Sequence, residues 1–227
     1  MMKILSINKE IVDETLAIES VSESALLSHP KLSSFDYIII NGGDGTIRRV
    51  MKLLLHVPHN ASFILNPTGS FNVIAKLHRV PKLEKVLDTL KKSETLPTQV
   101  QKIYRLNEEV FLFSAGNMGD LQHIFLSETL RFGLLKKGIA KYLLAVLFLF
   151  PVHLAMTPFM LLSSKRFFIF TPARFIKKFG SFYGVVKEMQ IDLQNHYNLI
   201  ELDGDVVTIK ESILDIKPVG EVDIVVS

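Results

Sequence analysis

Residues 35–51 read Phe-Asp-Tyr-Ile-Ile-Ile-Asn-Gly-Gly-Asp-Gly-Thr-Ile-Arg-Arg-Val-Met, and their order decides the fold. A run of β-branched residues from Phe35 to Asn41 predicts a buried strand, because strands covered on both faces read as continuous apolar runs. From Thr46 to Leu55 the apolar residues fall at Ile47, Val50, Met51, Leu54 and Leu55, which is helical spacing. Between the two lies Asn41-Gly42-Gly43-Asp44-Gly45-Thr46. Its glycines let backbone amides approach an anion closely, and the helix start adds favourable partial charge, so the pattern suggests a phosphate cradle. Asp44 inside such a loop would be repelled by phosphate unless a Mg²⁺ ion or a proton donor stood between them, which points to metal-assisted or general-base work. An ordinary glycine-rich turn with Asp44 or Thr46 as helix cap fits the same letters.

Working outward, Lys3 to Asn8 and Ala61 to Asn66 are further apolar runs, while Val73 to Leu77 and Leu83 to Leu90 are helical segments split by Pro81. Strands alternating with helices predict a parallel sheet. The N-terminus, Met-Met-Lys-Ile-Leu-Ser-Ile-Asn, is soon followed by Glu10, Asp13 and Glu14 and is expected to form a first strand, not a signal peptide. Past Pro97 the texture changes. Val100 to Arg105 and Glu109 to Ala115 flank Asn107-Glu108, a hairpin pattern. Short strand-like runs at Met189 to Leu193, Leu199 to Leu202, Val206 to Lys210, Ile213 to Lys217 and Val222 to Val226 are linked by Asp-Gly and Pro-Val-Gly, which predicts antiparallel sheet. The expected division is a nucleotide-binding α/β domain over 1–97 and a β-rich domain over 98–227, the latter with a helical, basic, apolar segment at about 121–182.

The chain has 227 residues, a formal charge of +3 and no cysteine, which rules out disulfides, Cys-ligated zinc and a thiol nucleophile. Charge is unevenly spread. Between Glu128 and Glu188 there is no acid, yet Arg131, Lys136, Lys137, Lys141, Lys165, Arg166, Arg174, Lys177, Lys178 and Lys187 fall there, with ten of the sixteen phenylalanines. Such a segment suits an anionic membrane surface, and the absence of Trp weighs against stacked bases, so nucleic acid is not expected as a partner. Tyr142 to Ser164 is uncharged over 23 residues, and buried, interfacial and membrane-spanning readings stay open.

Gly42-Gly43-Asp44-Gly45-Thr46, followed after the next strand by Pro67-Thr68-Gly69-Ser70-Phe71-Asn72, resembles the catalytic domain shared by diacylglycerol kinases, sphingosine kinases and bacterial lipid kinases. Gly116-Asn117-Met118-Gly119-Asp120 and Leu202-Asp203-Gly204-Asp205 resemble later segments of that family. The resemblance implies an α/β nucleotide domain like that of NAD kinases, followed by a trimmed β-sandwich-like domain, with ATP and a lipid meeting between them. It implies that Asn41, Gly42, Gly43, Asp44, Gly45, Thr46, Ser70 and Asn72 bind ATP with Mg²⁺. It further implies that Asp44, Asp203 or Asp205 takes the proton of a lipid hydroxyl, diacylglycerol-like or sphingoid, in a cytoplasmic protein peripheral to the membrane. The family's Asn-Pro-x-Ser-Gly turn is reduced to Ser6-Ile7-Asn8-Lys9, and its Asp-Gly-Glu ends in Asp205. An NAD kinase-like small-molecule kinase, suggested by Asn107-Glu108, and a catalytically silent membrane-binding relative are the alternatives.

Overall fold

The computed structural model describes residues 2–69, 71–117, 162–173 and 176–227, together with residues 147, 151, 154, 155, 158 and 159. The first half of the expected helical segment at about 121–182, apart from single positions, and most of the uncharged stretch 142–164 lie outside the described residues. Among the described residues no helix is long and apolar enough to cross a membrane.

In chain order the elements are β1 (Lys3–Ile7), β2 (Ala17–Val21), β3 (Tyr37–Gly42), α1 (Asp44–Leu54), β4 (Ser62–Pro67), α2 (Val73–Leu77), α3 (Leu83–Lys91), β5 (Thr98–Leu106) and β6 (Glu109–Phe111). Next come β7 (Ser114–Gly116), β8 (Phe168–Phe170), β9 (Phe182–Tyr183), β10 (Met189–Asp192), β11 (Asn198–Leu202), β12 (Asp205–Ile209) and β13 (Ile213–Val225). The chain forms two compact units, one of residues 1–112 with 217–227, the other of residues 113–216.

The first unit is built on a sheet in the order β2-β1-β3-β4-β13-β5-β6. β1 runs parallel to both β2 and β3, and β3 runs parallel to β4, pairing Ile38 with Phe63 and Ile40 with Leu65. The apolar run of β3 is explained by cover on both faces. Ile39 joins Ile4, Ile64 and Val225 in a cluster with Val86 and Leu90 of α3. Ile38 and Ile40 are also fully buried, as are Ile47, Val50, Met51 and Leu54 along one stripe of α1. Each such side chain contributes about 1.5–3 kcal/mol of burial.

β2 was not expected. Its sequence, Ala-Ile-Glu-Ser-Val, has partly exposed residues throughout, and it closes the edge of the sheet where one neighbour, β1, suffices. The expected boundary near Pro97 falls inside the first unit, because the β5–β6 hairpin belongs to the same sheet. The Pro-Val-Gly turn expected at 218–220 is instead part of one long strand, β13. Pro218 lies between the part paired with β10 (Ile213–Ile216) and Ile224, which pairs in parallel with Phe63 of β4. Proline's fixed φ suits an extended chain, so pairing on either side of it overrides the local turn preference.

The second unit contains a sheet in the order β12-β11-β7-β8-β9, antiparallel from β12 to β8. The β11–β12 hairpin turns on Asp203 (φ 51°) and Gly204 (φ 91°), with Leu202 opposite Asp205. Positive φ at both central residues is the geometry that Asp-Gly favours in a two-residue hairpin loop.

Candidate functional site

In the first unit, three polar side chains line up where β1, β3 and β4 end. Asn41 Nδ2 donates to Ser6 Oγ (3.0 Å) and to the Ile7 carbonyl (2.8 Å), and its Oδ1 accepts from Asn66 Nδ2 (2.7 Å). Asn41 is buried, and these bonds occupy its carboxamide inside the fold. The ladder pins the C-terminal ends of adjacent parallel strands. The chain leaves β1 toward β2 on one side and β3 toward β4 on the other, so this edge is a topological switch point, where α/β sheets offer a crevice for ligands.

Two loops meet at this edge. Gly43 is the N-cap of α1, with φ −93°, and no side chain caps the helix there. Its Cα lies so close to the second loop that a Cβ added to Gly69 would stand 2.7 Å from it. A Cβ added to Gly42 would meet the Thr46 side chain at 2.5 Å. Among the described glycines only Gly180 and Gly204 have left-handed φ. Glycine is therefore required in these loops by contact, not by backbone angle.

Asp44, the first residue of α1, is buried. Its carboxylate reaches into the second loop, accepting from the amides of Val73 (2.7 Å) and Ile74 (3.0 Å) at the start of α2. Asn72 stands just before α2 in the left-handed region, φ 50°. Its carboxamide closes on Gly69, accepting from the Gly69 amide (3.0 Å) and donating to the Gly69 carbonyl (2.6 Å). Thr68 donates its amide to the Gly42 carbonyl (3.1 Å). The result is two short loops locked together by Asp44, with the uncapped amides of α1 beside a glycine-lined backbone contact. That arrangement has the chemistry of an oxyanion receptor. Ser70 lies outside the described residues.

Further residues brace α1. Arg48, buried, pairs with Glu109 (2.9 Å), which also takes Lys52 (2.7 Å). Arg49 donates through Nε and Nη2 to the two carboxylate oxygens of Glu23 (2.6 and 3.2 Å). Asn107, φ 50°, turns the β5–β6 hairpin, as its sequence suggests.

In the second unit, Asp203 is buried, and its Oδ1 accepts from the amides of Phe113 and Ser114 (2.9 Å each). The turn is thereby fastened to the start of β7. Asp205 begins β12 and is partly exposed. Asn117, next to β7, bridges to the segment that leads into β8, accepting from the Phe167 amide (2.9 Å) and donating to the Lys165 carbonyl (2.8 Å). Sequence reasoning missed Glu201, whose Oε1 accepts from the Gly204 amide (2.5 Å) and the Ser114 hydroxyl (3.3 Å). Glu201 lies on β11 two residues before Asp203 of the turn, and that proximity was the available signal.

Burial pushes the Glu201 carboxyl above the usual carboxylate range, and Asp205 nearby adds to it, against the opposing hydrogen bonds from Gly204 and Ser114. The folded state thus holds a proton that the unfolded chain releases earlier. This contribution to stability is full below the ordinary glutamate range and is lost as pH rises through the raised value. Glu201→Gln, which keeps an acceptor oxygen, is expected to match the parent in urea unfolding at about pH 4 and to exceed it at about pH 7. A variant less stable than the parent at neutral pH would show that the ionised form is favoured instead.

The family model described as the diacylglycerol kinase catalytic domain matches residues 6–103. No curated protein matches the chain. Among solved structures, a protein from Bacillus anthracis str. Sterne, provisionally named a diacylglycerol kinase, aligns over 100% of this chain and 97% of its own, with TM-score 0.55 and 11% identity. That likeness is one of fold. A diacylglycerol kinase from the same organism aligns over 55% of this chain and 50% of its own (TM-score 0.40, 17% identity). An NAD kinase from Archaeoglobus fulgidus, in complex with ATP, aligns over 51% and 47% (TM-score 0.29, 17% identity). The matched segment contains every element that builds the two locked loops, from Ser6 through the Gly43–Gly69 contact to α2, and it is this segment that is similar to the diacylglycerol kinase catalytic domain.

Proposed function

We propose that the protein is an ATP-dependent lipid kinase that transfers a phosphoryl group to the hydroxyl of a diacylglycerol-like or sphingoid lipid at a membrane surface. The observation that carries this reading is the pair of glycine loops held in register by Asp44, with the amides of α1 uncapped beside them. The residues fit a nucleotide phosphate, since the backbone is bare where the loops touch and any Cβ would fill that space. Among the described residues no three acidic or histidine side chains gather into a cage. A Mg²⁺ ion bound with the nucleotide would supply neutralisation of the charge developing in transfer.

In the reaction the lipid hydroxyl oxygen bonds to the terminal phosphorus, the bond to the bridging oxygen breaks, and ADP leaves. Gly42, Gly43, Gly45 and Thr46 hold and orient the phosphates, with Asp44 fixing the loop that presents them. Asp203 holds its turn through Phe113 and Ser114. By the family resemblance alone, Asp205 is the carboxylate proposed to take the hydroxyl proton; in its own unit it is partly exposed. Attachment to the bilayer is assigned to the acid-free segment, where Phe159, Leu162 and Phe179 are exposed near Lys165, Lys177 and Lys178 in sequence.

The test is transfer of radiolabelled phosphate from ATP, with Mg²⁺, to diacylglycerol, sphingosine or NAD, the lipids presented in anionic and in neutral vesicles. Labelled lipid, formed faster on anionic vesicles, is the expected result. Labelled NAD alone would replace the reading with a small-molecule kinase, and no labelled product would leave only a lipid-binding protein.

A further inference from the structure

Arg49 bonds to both Glu23 and Thr46, and the latter is in the phosphate loop. Besides its bidentate bond to Glu23, its Nη2 donates to Thr46 Oγ1 (3.3 Å), one turn back on α1. Glu23 is itself held in place, because its amide donates to the Asn8 side chain (2.8 Å) in the loop leaving β1. The Thr46 side chain lies over Gly42, in the space a Cβ there would need. A hydroxyl that accepts from a guanidinium keeps its own proton to donate. A residue in the first turn of α1, beside the uncapped amides, is thereby given a defined direction for its O–H.

We infer that Glu23 and Arg49 form a positioning pair, which sets the Thr46 hydroxyl as a hydrogen-bond donor to a nucleotide phosphate oxygen. This rests on the nucleotide reading of the loop. The guanidinium acts through Thr46 and is fixed by a planar two-point bond that lysine cannot reproduce. It also places positive charge next to an anion site, with Glu23 keeping the guanidinium from swinging into solvent.

The experiment is a double-mutant cycle on ATP affinity measured by calorimetry, using the full chain as parent, Thr46→Val, Arg49→Met and the double variant, with Glu23→Gln and Arg49→Lys alongside. Arg49→Met and Thr46→Val are each expected to weaken ATP binding about five- to tenfold, and the double variant by no more than either alone. Arg49→Lys should recover little, and Glu23→Gln should fall between parent and Arg49→Met. Circular dichroism identifies any variant that fails to fold, and Glu23→Gln, which keeps size and shape, then carries the comparison. Additive effects, or an Arg49→Met variant that binds ATP as the parent does, would overturn the positioning role while leaving the nucleotide site intact. A parent that binds no ATP would overturn both.

Discussion

Gly69→Ala is expected to weaken ATP binding by more than about tenfold and to lower stability by about 1–3 kcal/mol, the usual cost of forcing extra atoms into a packed contact. Its added methyl would stand 2.7 Å from Gly43 Cα and 2.8 Å from Asn72 Oδ1. The first of these is backbone and cannot rotate away, so the two loops must separate. Because Gly69 has no left-handed φ, the effect comes from contact alone. Gly43→Ala meets the same pair from the other side at 3.1 Å, which a small shift relieves. The milder effect is therefore expected at Gly43. Calorimetry with ATP and thermal unfolding of both variants check the order, and a Gly43 variant worse than the Gly69 variant would contradict this account of the contact.

Asp44 carries the other large effect. Both of its oxygens accept amides from α2, and hydrogen bonds to a charged group are worth about 1.5–3 kcal/mol each. Asp44→Ala leaves two amides without their acceptor. Asp44→Asn turns an NH₂ group toward one of them, so that two donors face each other. Both variants are expected to lose about 2–4 kcal/mol of stability and essentially all phosphoryl transfer, the asparagine giving little rescue. Urea unfolding and the radiolabel assay read the two effects separately. An asparagine variant with normal stability would mean that the carboxylate's charge is not what holds the second loop, and undiminished turnover would remove Asp44 from the site.

The site was legible in sequence where a residue's type and its place along a strand or helix carry the whole message. Ile38 to Ile40 declare a strand buried on both sides, Ile47 to Leu54 a helix with one buried stripe, and the glycines between them a close approach of backbone. What the letters could not express is which backbone is approached. Gly43 touches Gly69, and Asp44 caps a helix that begins 29 residues later, because β3 and β4 are neighbours in the sheet. The same limit hid the Asn41–Asn66 bond, although each asparagine visibly closes an apolar strand. β2 escaped notice because an edge strand with one partner needs no apolar run, and Pro218-Val219-Gly220 misled because pairing on both sides of a proline outweighs its turn preference.

Nucleotide phosphates are proposed to seat on the amides of residues 42–46, beside the Gly43–Gly69 contact. Titrating ¹⁵N-labelled protein with ATP and Mg²⁺ while following amide resonances tests this most directly. The expected result is saturable shifts at Gly42, Gly43, Gly45, Thr46 and Gly69, with ADP moving fewer of them. Saturation with ATP that leaves those amides unmoved, or that shifts only residues elsewhere, would contradict it.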